Sequence, residues 1–295
     1  MKEGFLIGGG ILLAGLLLQL VAGPVNWSFF AWPVNIIVLV LILSLIGLMY
    51  VLRGNIHAFE WMMHYGAAVP SLVYSLSLTI VMGLTVQVEK GGIPGISRML
   101  EFWPFVLSWT WMMLIAGLTS LNRIIHFKVR EIPFILNHLG VFIAIVTATL
   151  GNGDKKEVNM IVSEGETEWH ATDAEGGIFD PGIAIELHDF IMDVYQDGSP
   201  KRFASDITVY TRDGKNIRGT VDVNKPLKAG GWKIYQYGYD VASGTGSTYS
   251  EFLMVKDPWI TWIYLGIFMM LAGALCLMLF MAPKPVRADE GGNEL

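Results

Sequence analysis

The chain has 295 residues, of which 53% are hydrophobic and 16% charged, and its mean hydropathy is +0.49. Long apolar runs produce such values, so the composition excludes an ordinary soluble domain and indicates a polytopic membrane protein. The formal charge of −6 argues against nucleic acid as a partner, because phosphate binding requires a basic face. The single cysteine, Cys276, excludes an internal disulfide framework and a CxxC pair, so the chain cannot perform dithiol chemistry alone.

Six apolar segments are long enough to cross a bilayer as helices, at about 1.5 Å of rise per residue. These predicted spans are Phe5–Ala22, Val34–Val51, Tyr65–Val86, Phe102–Leu121, Ile132–Leu150 and Trp259–Met281. The first span resembles a signal peptide, since Ala22-Gly23-Pro24 follows it. Its length and the span directly behind it favour a retained helix.

The orientation follows from the short connection Asn122–Arg130, which carries three permanent positive charges. By the positive-inside rule this connection is cytoplasmic. Alternating the spans from it places Arg53, Lys284 and Arg287 inside and residues 152–257 outside. We therefore predict a multi-pass protein whose largest loop faces the extracytoplasmic side.

Residues 152–257 change in character to short, alternating apolar and polar segments, which predict a single all-β domain inserted before the last span. The clearest predicted strands are Ala184–Leu187, Ile207–Tyr210, Trp232–Tyr237 and Glu251–Val255, and the turns are Asp197-Gly198 and Asp213-Gly214. The alternation of Tyr235, Tyr237 and Tyr239 predicts three rings on one strand face, where core or domain packing is expected.

The fifth span is the one with an ionisable side chain in its interior, His138. Counting about 1.5 Å per residue from Ile132 places this residue roughly 9 Å into the apolar slab. A membrane histidine of this kind either binds a ligand or, with its neighbour Asn137, hydrogen-bonds an adjacent helix. The recurrence of Gly140, Ala144 and Ala148 also predicts a ridge that another helix approaches closely.

From Asp189 onward three stretches follow in order: DFIMDVYQDGSPKRFASDITVY, DVNKPLKAGGWKIYQYGYD and DPWITWIYLGIFMMLAGALCLML. In order and spacing they resemble the ResB-like (CcsB-type) family of cytochrome c biogenesis proteins of System II. The resemblance continues upstream through the LNHLG of the fifth span and covers about residues 66–282. Residues 1–52, with two further N-terminal spans, look like additions to that family's four-span arrangement.

The resemblance implies a membrane subunit that holds and delivers haem b, as a transported substrate, for attachment to apocytochrome c. It implies a ResC/CcsA-type membrane partner, a thioredoxin-like thiol reductant and a bacterial inner membrane, with the β domain facing the periplasm or extracytoplasmic side. In the family, the histidine before the soluble domain is a proposed axial ligand of the haem iron, and His138 occupies that position. The chain has no WWD-like segment, so it is at most one component of a holocytochrome c synthase.

The implied division is a three-helix membrane core at 53–151, the β domain at 152–257, a last helix at 258–282 and a cytoplasmic tail at 283–295. His64, at the inner end of the third span, is the alternative haem contact. Arg123, Lys128 and Arg130 are topology determinants that could also meet haem propionates. Two other functions stay open: a scaffold for the partner that binds no haem, and a transporter of another ligand.

Overall fold

A computed structural model describes residues 1–88, 92–93 and 95–280. The chain forms two compact units: a membrane unit, which comprises Met1–Gly153 and the chain from Trp259, and a β domain at Asp154–Pro258. The predicted positions of Lys284 and Arg287 and of the tail at 283–295 lie outside the described residues.

The membrane unit contains seven described α-helices, six of which are long and apolar enough to cross a bilayer. The six are α1 (Lys2–Ala22), α2 (Val34–Leu52), α4 (Tyr65–Leu84), α5 (Trp103–Ile125), α6 (Ile132–Gly151) and α7 (Ile260–Phe280). The seventh, α3 (His57–Trp61), is a single short turn between α2 and α4. The prediction of a six-span membrane protein is confirmed.

Helix α5 continues further than the sequence predicted. It ends at Ile125 rather than at Leu121, so Arg123 belongs to the last helical turn and not to a loop. A cationic side chain is favourable there, because the unpaired carbonyls give the C-terminal end of a helix a partial negative charge. The connection to α6 consequently shortens to a few residues around a 3₁₀ turn, Val129–Glu131.

Helices α6 and α7 pack against each other through small residues. A Cβ atom added to Gly140 would lie 2.6 Å from the carbonyl oxygen of Gly266, and one added to Gly266 would lie 2.6 Å from the backbone nitrogen of Ala144. Asn137 donates from Nδ2 to the carbonyl of Met270 at 3.4 Å. The predicted ridge at Gly140 and Ala144 is therefore confirmed, and so is the interhelical hydrogen bond of Asn137.

Helix α1 is part of the packed helices rather than a peripheral addition. The helix backbones approach each other closely at two glycines of α1. A Cβ added to Gly4 would lie 2.2 Å from the carbonyl oxygen of Gly66 in α4, and one added to Gly15 would lie 2.6 Å from Cα of Pro104 in α5. Close approach at glycine is the usual packing device between membrane helices, where lipid tails are as apolar as leucine.

The β domain consists of two antiparallel sheets. One sheet has the order β4-β3-β1-β10-β9-β8 and the other the order β2-β5-β6-β7. The strands are β1 (Lys156–Ser163), β2 (Thr167–Glu168), β3 (Ala171–Thr172), β4 (Ile178–Phe179), β5 (Ile183–Val194), β6 (Pro200–Thr211), β7 (Asn216–Asp222), β8 (Leu227–Ala229), β9 (Trp232–Tyr239) and β10 (Tyr249–Lys256). The predicted strands correspond to parts of β5, β6, β9 and β10.

One apolar core joins the two sheets. Ile185, Leu187 and Ile207 from one sheet and Ile234 and Phe252 from the other are fully buried in it. The two predicted turns are confirmed, because the glycines that follow Asp197 and Asp213 have φ of 80° and 78°. At positive φ glycine carries no steric penalty, which explains why it stands at these turns.

The prediction that three tyrosines share one face of β9 is wrong. Trp232, Ile234 and Gln236 face the core instead, and Tyr237 is 58% exposed. The pairing with β10 shifts register between Glu251 and Phe252, opposite this end of β9. This irregularity interrupts the alternation of faces, and Tyr239 stacks against Phe190 with ring centroids 5.1 Å apart.

Candidate functional site: a membrane histidine beside an apolar cavity

His138 is held by its own helix. Its Nδ1 lies 3.1 Å from the carbonyl oxygen of Phe134, one turn earlier in α6. A carbonyl oxygen only accepts hydrogen bonds, so Nδ1 carries the proton and Nε2 of the neutral ring keeps its lone pair. Within residues 1–88, 92–93 and 95–280, no hydrogen bond involves Nε2. The hydrogen bond expected from His138 to a neighbouring helix is thus replaced by one within α6.

The imidazole of His138 also stacks on the ring of Phe134, with centroids 3.8 Å apart and planes inclined by 17°. The Phe134 ring contacts a second group, since Cζ of Arg123 lies 4.8 Å from its centroid. Nη1 of Arg123 donates to Oε2 of Glu131 at 3.0 Å. These four residues form one cluster where the end of α5 meets the beginning of α6, and we call it the His138 cluster.

An apolar cavity of about 600 Å³ opens further along the membrane unit, between α4, α5, α6 and α7. Its α6 lining includes Val141 and Ile145, which follow His138 by three and seven residues and so lie on the same face of the helix. The polar residues Thr149 and Asn152 line its far end. The volume is within the range of small-molecule and cofactor sites.

Trp109 lines this cavity with an unsatisfied donor. Its indole Nε1 is buried and has no hydrogen-bond partner within the described chain. The contrast is Trp103 on the same helix, whose Nε1 donates to the carbonyl of Gly23 at 2.9 Å. A buried N–H without a partner costs about 1–3 kcal/mol.

His64 is separate from the His138 cluster. It precedes α4, its side chain is exposed, and its carbonyl accepts from Ala67 and Ala68 as α4 begins. No hydrogen bond or ring contact joins His64 to His138 among the described residues. The structure therefore does not bring together the two histidines that the sequence singled out.

Two histidines of the β domain are bound to their own neighbours. Nδ1 of His170 lies 3.0 Å from Oε1 of Glu168, and Nε2 of His188 lies 2.7 Å from Oγ1 of Thr208. The backbone N–H of His170, followed by other groups of the same turn, stabilises the Glu168 carboxylate and lowers its pKa below the ordinary value. Among the residues that the structure describes, no group of three or more His, Cys, Asp or Glu side chains could hold a metal ion.

Sequence reasoning missed Phe134 and Glu131. The spacing of four between Phe134 and His138 was visible and predicts neighbouring side chains on a helix, but apolar residues are too common in a span to single one out. Arg123 was interpreted through topology because its helix was expected to end before it.

These features define a class of multi-pass membrane protein. Its members have a β domain inserted before the last helix and a histidine within the helix that precedes this domain. The sequence profile of the ResB-like family matches residues 128–253, a segment that runs from the connection between α5 and α6 into β10 and includes His138 but not Arg123. Over this segment, which is less than half of its length, the chain is similar to the ResB-like family.

Curated relatives match shorter parts of the chain. The chain is 27% identical over 111 residues to cytochrome c biogenesis protein CcsB of Prochlorococcus marinus (strain NATL1A), a match that covers 38% of this chain and 25% of that relative. It is 40% identical over 53 residues to the chloroplastic cytochrome c biogenesis protein CCS1 of Oryza sativa subsp. japonica, which covers 18% of this chain and 9% of that protein. The matches thus span a quarter or less of the length of these relatives.

Proposed function

We propose that this protein is a haem-holding membrane subunit of a System II cytochrome c biogenesis complex. Haem b is its transported substrate, His138 is one axial ligand of the haem iron, and a ResC/CcsA-type membrane protein supplies the second ligand. That complex attaches the haem to apocytochrome c, whose thiols a thioredoxin-like protein reduces. The similarity to cytochrome c biogenesis proteins CcsB and CCS1 supports the biogenesis part of this proposal.

The observation that carries the haem assignment is the 3.1 Å contact between Nδ1 of His138 and the carbonyl oxygen of Phe134. The hydrogen bond from Nδ1 to the Phe134 carbonyl fixes the ring and leaves the Nε2 lone pair for a metal. A histidine ligand whose other ring nitrogen donates to a backbone carbonyl is the usual arrangement in metal sites. Haem iron accepts such an imidazole as an axial ligand.

The surroundings of His138 fit a planar, largely apolar substrate. The apolar cavity follows directly along the same face of α6, and its size is appropriate for a cofactor-sized molecule. The family segment includes both His138 and the β domain, and we propose that the β domain serves the same complex as a docking surface for partner proteins.

The test is His138→Ala in the full chain, co-purified with its partner. Loss of an axial imidazole should abolish the Soret absorption at this site and stop cytochrome c maturation, while the protein still accumulates because alanine suits a membrane helix. Imidazole added to the medium should restore part of the absorption. Loss of a packing contact alone would cost only about 0.6 kcal/mol and leave maturation largely intact.

The matched control is His126→Ala. Nδ1 of His126 also lies close to a backbone carbonyl one turn earlier, that of Asn122, at 2.9 Å, but the side chain is exposed at the end of α5. This variant should keep normal haem content and normal holocytochrome yield. Normal values in His138→Ala would instead favour the non-haem scaffold function, and His64→Ala would then test the alternative ligand.

The proposed orientation places the β domain on the extracytoplasmic side of a bacterial inner membrane. Support comes from the basic segment between α5 and α6, which includes Lys128 and Arg130. A reporter fused after Lys215 should be active outside the cytoplasm, and one fused after Arg287 should be active inside. The opposite placement of either reporter would overturn this orientation.

A further inference from the structure

Within the His138 cluster, a cation and the proposed metal-binding nitrogen are linked through one aromatic ring. The ring of Phe134 stacks on His138 at 3.8 Å, and Cζ of Arg123 lies 4.8 Å from the same ring's centroid. A ligand bound to Nε2 of His138 therefore lies near a permanent positive charge.

The substrate in the proposed function is amphipathic, since its planar ring carries carboxylate side chains. The described residues that line the cavity provide no charged group to receive them. A carboxylate left unpaired in an apolar site is strongly disfavoured, so its binding requires a cation at one end of the site. The His138 cluster supplies such a cation.

We propose that Arg123 binds a carboxylate of the tetrapyrrole whose iron His138 ligates, an inference that rests on the proposed function. The Arg123 side chain is 43% exposed, so a ligand can reach it, whereas Arg130 is 78% exposed and does not contact the Phe134 ring in the described structure. An arginine fork matches a carboxylate in geometry and binds it through two parallel hydrogen bonds.

Glu131 accepts a hydrogen bond from the Arg123 guanidinium, and this bond uses only part of the N–H donors of the guanidinium. The carboxylate of Glu131 is 18% exposed and accepts from Nη1 of Arg123 at 3.0 Å. A guanidinium has five N–H donors, so the others remain for a second carboxylate. The side chain is thus oriented before the ligand arrives, which lowers the entropy lost when the ligand binds.

The experiment compares two probes on the full chain, co-purified with its partner and held in lipid nanodiscs: iron(III) protoporphyrin IX and its dimethyl ester, in which the carboxylates are blocked. The Soret band reports ligation, and its titration gives a Kd for each probe. The wild type should bind the acid about tenfold more tightly than the ester, the effect expected for one charge-assisted carboxylate contact. Arg123→Gln should abolish this preference and leave the band position unchanged, because His138 is still present.

Two further variants control the result. Arg98→Gln removes an arginine of equal exposure, 43%, that pairs with Glu101 at 3.4 Å outside the His138 cluster, and it should keep the full preference. Arg123→Lys keeps the charge without the fork and should retain a reduced preference, which also covers the case in which Arg123→Gln does not fold.

The outcomes separate this inference from the proposed function. A wild type that saturates with both probes at equal Kd, or an Arg123→Gln variant that keeps the acid preference, overturns the role of Arg123 alone. A wild type with no saturable Soret band, or one whose band survives unchanged in His138→Ala, overturns the proposed haem site and this inference with it.

Discussion

Each of the two compact units has one buried polar side-chain atom without a hydrogen-bond partner among the described residues, and the units differ in what surrounds that atom. In the β domain Ser205, Gln236 and Ser250 form a closed network: Ser205 donates to Oε1 of Gln236 at 2.6 Å, the two serine hydroxyls are 2.7 Å apart, and Nε2 of Gln236 donates to the Gly238 carbonyl at 2.8 Å. In the membrane unit, Nε1 of Trp109, a residue that lines the cavity, is buried and has no partner among the described residues.

This difference indicates where ligand binding belongs. Groups that are already satisfied contribute to the stability of a fold, whereas an unpaired donor or a free lone pair next to open space can bind a ligand without breaking an existing interaction. Asn159 in β1 also has a buried oxygen without a partner in the described chain, but no cavity residue is among its neighbours along that strand. We therefore expect the proposed substrate to bind in the membrane unit, whereas the polar network inside the β domain stabilises that domain's own fold.

The largest effect expected from this division concerns haem binding by the β domain alone. Residues 152–257, expressed without the membrane unit, should fold as mostly β structure by circular dichroism and show no haem absorption, because His138 is absent. The full chain measured in parallel should show the Soret band. Stoichiometric haem on the fragment would contradict the division, and His170→Ala and His188→Ala would then identify the ligand.

The next largest effect is on the stability of the β domain. Phe252→Ala removes a fully buried ring from the core shared by both sheets and should lower the free energy of unfolding by about 3–5 kcal/mol. A domain of this size is stabilised by about 5–15 kcal/mol in total, so part of the population should unfold in mild urea. Equilibrium urea denaturation of the 152–257 fragment measures this.

The control for Phe252 is Ile161→Ala in β1. Ile161 is 60% exposed, so its truncation should change the urea midpoint little. Equal losses in the two variants would show that the core assignment of the sandwich is wrong.

Packing between α6 and α7 should be the next most sensitive feature. The Cβ of Gly140→Ala would lie 2.6 Å from the Gly266 carbonyl and 2.8 Å from the backbone nitrogen of Met270, so the helices must separate. Overpacking of this kind costs about 1–3 kcal/mol, which thermal denaturation in detergent should detect as a lower midpoint.

Gly47→Ala is the matched control, because a Cβ at Gly47 in α2 would meet nothing within 4 Å. It should leave the midpoint unchanged or slightly raised, since alanine favours helix more than glycine does. A Gly140→Ala variant as stable as Gly47→Ala would argue against the close α6–α7 contact.

The sequence predicted the membrane helices well because each is a long apolar run with a strong, local signal. It predicted the β domain less completely. The strands β2, β3 and β4 have two residues each, too few for an alternation to be recognised. The face of β9 was misassigned because the register shift near Glu251 depends on pairing with β10 and leaves no local pattern.

The His138 cluster shows the same limit. His138 was found because an ionisable residue inside an apolar run is rare. Its hydrogen bond and its stacking on Phe134 depend on side-chain conformations within α6, and the contact of that ring with Arg123 requires the path of the chain between α5 and α6. A sequence indicates which residue types are present, but the pairing of Arg123 with Glu131 across that turn is a tertiary contact.

The smallest expected effect on stability concerns an ion pair on the surface of the β domain. It compares the contribution of a surface charge with that of the apolar core. Nε and Nη2 of Arg202 donate to the Asp222 carboxylate at 3.1 and 2.8 Å, and these hydrogen bonds, with the nearby positive charge, lower the pKa of Asp222 below its ordinary value. A carboxyl whose pKa is lower in the folded state stabilises the fold above its unfolded pKa of about 3.9, and this contribution disappears as the pH falls through the folded pKa. Asp222→Asn should therefore be less stable than the wild-type fragment at pH 7 and equally stable in strong acid, by urea denaturation across that range. The loss should be smaller than for Phe252→Ala, because exposed ion pairs contribute little.

Asp193→Asn is the control, since Asp193 is 54% exposed and lies 3.9 Å from Arg202, and it should show almost no pH-dependent difference. A loss in Asp222→Asn that persists unchanged in strong acid would show that the side chain acts through packing rather than through its charge.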